Sequence, residues 1–362
     1  MSFTEQKRNE IKKYILRKIA LDDEKMIEKT MDSFGISVTS VKRYLKEFSE
    51  QVWIKVSNDK KCGYELCEEE HEICVQVSAE SCEDIICQED IAPRLKHCNP
   101  NAYNIWQYVC MEIMNNALEH SQGTEIKIWI KTNCLYTTIV IVDNGKGVFR
   151  TLFPALEEKG WKNPKPEDAI VELLKGKITC APLEHSGEGI FFSSKMVDRF
   201  VIWSDSHIAA WTALQDPEIV QSHLLSYAAR IGKVGTCVMM TLENETSREI
   251  KSVFDTYANI EQGFFKTEIP VYNACLFSQP ISRSQARRIC KRLEEFKEVE
   301  LDFVDVTFMG QGFADEVFRV YAIAHPDIVI RVKNATSDVV RMVHHVARGK
   351  MPENVAFATG TI

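Results

Sequence analysis

The apolar positions of this chain change their period along its length. Over residues 4–51 they recur at helical spacing. Ile11, Ile15 and Ile19 form one stripe, Met26, Ile27, Thr30 and Met31 a second, and Val38, Val41, Leu45 and Phe48 a third. Phe34-Gly35-Ile36-Ser37 separates the last two, with glycine at the bend and Ser37 placed as an N-cap. From Val52 to Val77 the runs VWIKV, YELC and EICVQV read as short strands, with the polar tip SNDKKCG between the first two. Asn101 opens an α/β pattern: a helix from Tyr103 to Glu119, then the strands EIKIWIK and TTIVIVD. A long irregular segment from Gly145 to Ser186 follows, then a helix from Gly189 to Val197 and the strands FVIWS, IAAWTALQ and TCVMMTL. From Ile269 a smaller α/β unit begins. It has a helix with Arg287, Arg288, Lys291 and Arg292 on its outer side, the strand VELDFVDV, the turn MGQGFADE opening a helix, the strand IVIRVKN, and a last helix from Ser337.

These changes predict a mixed α/β protein, α+β overall, in three units. Residues 1–80 form a winged helix-turn-helix, residues 81–265 an α/β sandwich, and residues 266–362 a smaller α/β domain. A length of 362 residues fits two or three domains.

Composition narrows the setting. The longest apolar runs, such as Tyr136 to Val142, stop well short of the roughly 18 residues of a membrane span. No membrane partner is expected, and the charged N-terminus carries no apolar leader, so the expected location is cytoplasmic. Six cysteines crowd between Cys62 and Cys98 near His71 and His97, without a C-x-x-C pair. That favours thiols on strands over a structural zinc. The net charge of −8 argues against a globally nucleic-acid-binding chain and leaves one domain open. The third helix displays Ser37, Thr39, Ser40, Lys42, Arg43 and Lys46 off its apolar face, side chains suited to phosphates and base edges. Residues 1–50 hold 11 Lys+Arg against 9 Asp+Glu, an excess of 11 − 9 = 2, so a winged helix used for protein contacts is the alternative.

Four short patterns carry candidate chemistry. In EIMNNALEHS, Glu112, Asn116 and His120 share one helix face beside Ile113 and Ala117, which makes that face point inward. An inward carboxylate and carboxamide are costly without a task. An amide oxygen suits Mg²⁺, and a nearby carboxylate can deprotonate water; the alternative is a buried hydrogen-bond network or a pair facing solvent. In IVIVDNGKGV a β-branched run ends at Asp143, and Gly145 and Gly147 follow. In HSGEGIFFSSKMV, Gly187 and Gly189 precede a helix whose first amides lack partners, a ready anion site; Lys195, two turns on, is placed to reach phosphate, with a solvated surface lysine as the alternative. KVGTCVMMTL places Gly235 and Thr236 at a strand start.

In this order and spacing the four patterns resemble the GHKL ATPase superfamily of gyrase-type topoisomerases, heat-shock chaperones, mismatch-repair ATPases, sensor histidine kinases and anti-sigma-factor kinases. The match covers about residues 100–245. The resemblance implies ATP and Mg²⁺ as cofactors, with Asn116 on the metal, Asp143 on the adenine amine, Thr236 assisting there, and Gly187 and Gly189 over the phosphates. It also implies a lid over residues 148–186 and Glu112 as general base. Where many kinases carry a further glycine two residues before G-x-G, this chain has His185.

Residues 276–347 resemble a STAS-like domain of unknown function, on FSQPISRSQARRICKRLEEF, VELDFVDV and FMGQGFADEVFRV. The turn from Met309 to Asp315 holds no Ser or Thr, which excludes phosphorylation there. No phosphotransfer histidine helix is present, which argues against a sensor histidine kinase. The expectation is a regulator in which Mg-ATP controls DNA or protein binding; the alternative is a serine/threonine kinase acting on a partner. Expected partners are a nucleotide, DNA through residues 1–50 and a protein through the STAS-like unit, with a homodimer left open.

Overall fold

The computed structural model describes residues 3–178, 187–212, 217–233, 235–348 and 350–358. The protein is mixed α/β, built on a six-stranded antiparallel and a four-stranded parallel sheet. At its N-terminus, α1 (Glu5–Ala20), α2 (Met26–Phe34) and α3 (Val38–Glu50) precede a hairpin of β1 (Ile54–Val56) and β2 (Tyr64–Leu66). The helical stripes are largely what these elements bury: Ile11, Ile15, Ile19, Met26, Val41, Leu45 and Phe48 share one apolar cluster, while Val38, read into the third stripe, is exposed in the first turn of α3. Ser37 caps α3 by accepting the Ser40 N–H at 3.2 Å. Gly35 closes α2 at φ +61°, where a Cβ would be strained.

The EICVQV run does not join that hairpin. It lies in β3 (Glu69–Gln76), which pairs antiparallel with β4 (Glu125–Thr132) at the edge of the central sheet. The unit expected over residues 1–80 therefore gives its last strand to its neighbour. The full-length ladder with β4 and the bond from Trp129 Nε1 to the Glu72 carboxylate (2.8 Å) fix the pairing. Alternation along one strand cannot choose between edges.

The central sheet has the order β3-β4-β5-β8-β6-β7, with β5 (Tyr136–Asp143), β6 (Arg199–Ser204), β7 (His207–Ala210) and β8 (Thr236–Glu243). Both faces are buried. Ile128, Ile139, Phe200 and Met240 belong to the core that includes the helices Pro100–Asn115, Gly189–Met196 and Ile250–Tyr257. Trp129, Val140, Val201 and Met239 lie under Leu224 and Tyr227 of the helix Pro217–Ala228. The helices at 217–228 and 250–257 were not expected. The segment read as irregular is also largely helical, with Val148–Thr151, Phe153–Glu158 and a strap helix, Pro166–Lys175. Pro166 opens the strap helix, the Asp168 carboxylate accepts the Lys165 N–H at 3.0 Å, and Gly176 ends it at φ +81°. Residues 179–186 of the expected lid, His185 among them, lie outside the described residues.

The two-residue strands β9 (Ala258–Asn259) and β10 (Gly263–Phe264) lead into the parallel sheet of β11 (Lys266–Pro270), β12 (Glu298–Asp302), β13 (Val329–Lys333) and β14 (Val355–Phe357). Ile269, Val299, Leu301, Ile330 and Val332 face the core with the helices Arg283–Cys290 and Ser337–Val346. The opposite face is charged, with Lys266 held between Glu298 (2.9 Å) and Glu300 (2.8 Å) and Lys333 against Glu268 (2.7 Å). One continuous apolar core runs from the central unit into this one, so the units expected at 81–265 and 266–362 share their interior.

The N-terminal unit is fastened to the central one at the turn between β4 and β5 and the end of β8. Leu135, in the turn between β4 and β5, is buried in the N-terminal cluster, and Glu243 at the end of β8 accepts from Lys13 (2.5 Å) and Arg17 (2.9 Å). Leu135→Asp puts an unpaired carboxylate into that cluster and should cost on the order of 3 kcal/mol locally. Hydrogen exchange should then show early opening of residues 5–66 with the central sheet still protected. Uniform loss of protection would mean that the docking is not local.

Candidate functional site

A cavity of about 460 Å³ opens between the helix Pro100–Asn115, the ends of β5 and β8, and the glycine turn before the helix Gly189–Met196. That size is within the range of small-molecule sites. Tyr108, Glu112, Asn116 and His120, spaced by four, all line it, while Ile113 and Ala117 beside them are buried. The helix widens into a π turn over Asn116–His120, a distortion common at functional sites.

Asp143, the last residue of β5, closes one end of the cavity and is only 4% exposed. Its Oδ1 accepts the Gly145 N–H at 2.8 Å. Burial pushes its carboxyl up to about 6, against the Gly145 amide and Thr236, which favour the charged form. Thr236 lines the same end, and its Oγ1 accepts the Val148 N–H at 3.0 Å. Gly147 is part of the wall; Gly145 is not, and acts through its amide on Asp143. A Cβ at Gly145 would collide with the Ser121 carbonyl, so the turn tolerates only glycine there.

Gly187, Glu188 and Gly189 form the other end. A Cβ on Gly189 would run into the Glu112 carboxylate, so this turn and the helix Pro100–Asn115 meet at that carboxylate. Burial, and then the carboxylates of Glu112 and Glu188, push the Tyr108 phenol up. Burial also raises Glu188, partly offset by the Lys177 ammonium. Glu112, Asp143 and Glu188 all line the cavity, and among the described residues no lysine or arginine does. Such a cavity repels a bare polyanion and accommodates one that brings a divalent cation.

Eight of the expected site residues meet here: Glu112, Asn116, His120, Asp143, Gly147, Gly187, Gly189 and Thr236. Lys195 is a correction. Its Nζ donates to Glu268 at 2.8 Å and stands over the Phe191 and Tyr257 rings, outside the cavity. Two turns into its helix it is roughly 9 Å along the axis from the first residue, and it faces β11. Tyr108, Ser121 and Glu188 were missed. Tyr108 was legible as the residue four before Glu112, and Glu188 as the residue between the glycines. Ser121 enters only because the π turn Asn116–His120 ends beside the turn after β5, where the Ser121 carbonyl accepts the Lys146 N–H at 2.8 Å.

On α3, Ser37, Thr39, Lys42, Arg43 and Lys46 are exposed and Ser40 is half-buried against Ser37. Among the described residues no cluster of three His, Cys, Asp or Glu side chains is arranged to hold a metal, and no helix is long and apolar enough to cross a membrane.

No curated protein matches the chain. The family model of the STAS-like domain of unknown function (DUF4325) matches residues 285–340, from the helix Arg283–Cys290 through β12 and β13 into the last helix.

Proposed function

We propose that the chain is an Mg-ATP-dependent regulator whose central unit is a GHKL-type, Bergerat-fold nucleotide domain and whose N-terminal unit is a winged helix that binds DNA. The observation that supports the nucleotide reading best is the convergence of Glu112, Asn116, Asp143, Thr236, Gly187 and Gly189 on one cavity from four separated stretches of sequence. The Asn116 carboxamide oxygen would hold Mg²⁺, which supplies the positive charge that the acidic wall lacks. Asp143 accepts from the exocyclic amine of adenine, with Thr236 beside it. The backbone amides at Gly187 and Gly189 receive phosphate oxygens. Glu112 orients a water and takes its proton. The exposed side chains of α3 and the Lys60–Lys61 tip of the hairpin suit a phosphate backbone.

Calorimetry on the full chain tests this reading, with Mg-ATP as titrant and DNA affinity measured with and without it. Binding should need Mg²⁺, and DNA affinity or oligomeric state should change on saturation. Absence of Mg-ATP binding would remove the nucleotide reading. Unchanged DNA affinity and oligomeric state would remove the regulatory one, and label transferred to a protein instead of water would favour the serine/threonine kinase.

A further inference from the structure

The strap helix belongs to two units at once. On one side Leu173, and beyond the helix end Ile178, form part of the cavity wall. On the other side Asp168, Glu172 and Lys175 follow at spacings of four and three on one stripe. Each is answered from the helix Arg283–Cys290 or the turn after it. Asp168 accepts from Arg288 Nε at 3.0 Å. Glu172, fully buried, accepts from Lys175 Nζ at 2.8 Å and from the Arg292 guanidinium. Lys175 Nζ also donates to the backbone carbonyls of Lys291 (2.5 Å) and Arg288 (3.3 Å), so its three protons all meet acceptors. Arg292 donates to the Lys177 carbonyl at 3.1 Å, and Lys177 Nζ donates to the Glu295 carbonyl at 2.7 Å. Thr267 on β11 donates to the Lys175 carbonyl at 2.7 Å.

Ionic groups this deeply buried do not tolerate small displacements, because each ion is stable only while its partners stay in place. Arg292 itself sits at φ +62°, where a side chain is disfavoured, and its guanidinium spans Glu172, Glu295 and the Lys177 carbonyl. Among the described residues the N-terminal unit has no comparable buried ionic hold on the strap helix. It is docked at the Leu135 end of β5, roughly 23 Å along the strand from Asp143, and contributes no residue to the cavity wall.

We propose that Arg288 and Arg292 of the STAS-like unit are positioning residues for the nucleotide cavity: they hold the strap helix, and through it Leu173 and Ile178, so that nucleotide occupancy and the state of the STAS-like unit form one coupled equilibrium. This rests on the nucleotide reading above. By linkage, a partner that shifts the helix Arg283–Cys290 changes nucleotide affinity by the same factor by which nucleotide changes the affinity for that partner.

The test uses the full chain and Mg-ATP. The Asp168–Arg288 pair is partly exposed, so Arg288→Ala should fold, and it should shift the Kd for Mg-ATP by about fivefold or more. Arg288→Lys, which keeps a cation beside the Asp168 carboxylate and leaves the cap of the strap helix intact, should restore most of it. Hydrogen exchange on the unmodified chain is a readout that needs no variant: Mg-ATP should change protection over 283–296 as well as 166–178. An unaltered Kd for Arg288→Ala, or an exchange response that stops at residue 178, overturns the coupling. If Mg-ATP binds without either effect, only this proposal fails; if it does not bind at all, the nucleotide reading fails and the coupling with it.

Discussion

Asp143→Asn should weaken Mg-ATP binding roughly 100-fold while raising the thermal stability of the ligand-free protein at pH 8. The two effects have one origin. Burial raises the Asp143 carboxyl from its ordinary 3.8 to about 6. The folded state therefore holds this proton more tightly than the unfolded chain does. The resulting stability is complete below about pH 3.8 and is lost as pH rises through about 6. At pH 8 the buried carboxylate costs about 3 kcal/mol relative to its protonated form. An asparagine has the same shape and no charge, so the variant escapes most of that cost. It also gives up the charged acceptor that the adenine amine would use. Calorimetric melts should show the variant ahead of the parent at pH 8, with the gap closing toward pH 4. Nucleotide binding by the parent should weaken as pH falls below about 6. A variant less stable than the parent at pH 8 would show that Asp143 is paid for within the apo fold, by the Gly145 amide and Thr236.

Glu112→Gln is expected to separate binding from turnover. Phosphate release should fall by roughly 100- to 10,000-fold, the usual worth of a general base, with the Kd for Mg-ATP changed less than about threefold. Glutamine keeps the length of the side chain and its place against Gly189, so the glycine turn should not move. Phosphate release at the parental rate would take the base role away from Glu112. Equal losses in binding and turnover would instead mark Glu112 as part of the wall around the metal.

Much of this was readable from local pattern because it depends on local physics. Helical spacing in residues 4–51 specified three helices and their buried stripes, since a period of 3.6 leaves few other ways to cover Ile11, Ile15, Val41 and Phe48. The same periodicity put Glu112, Asn116 and His120 on one face. The strap helix was readable too: Pro166, Glu167 and Asp168 at its start and Gly176 at its end are boundary residues with known causes.

Other features depend on contacts between residues far apart in the chain, and no local pattern encodes those. The alternation of β3 is equally compatible with a third strand of the hairpin and with an edge of the central sheet; a complete ladder with β4 decides it. Lys195 follows two glycines as a phosphate lysine would, yet β11 offers it Glu268, and an ion pair at 2.8 Å in a half-buried setting holds it there. Asp168, Glu172 and Lys175 look like an ordinary solvated stripe until the helix Arg283–Cys290 covers them. In this protein residue order specifies most of the elements and many of the polar side chains that converge on the cavity. The packing of the third unit against the second determines which of its charges are buried, because burial depends on what arrives from elsewhere in the chain and periodicity does not.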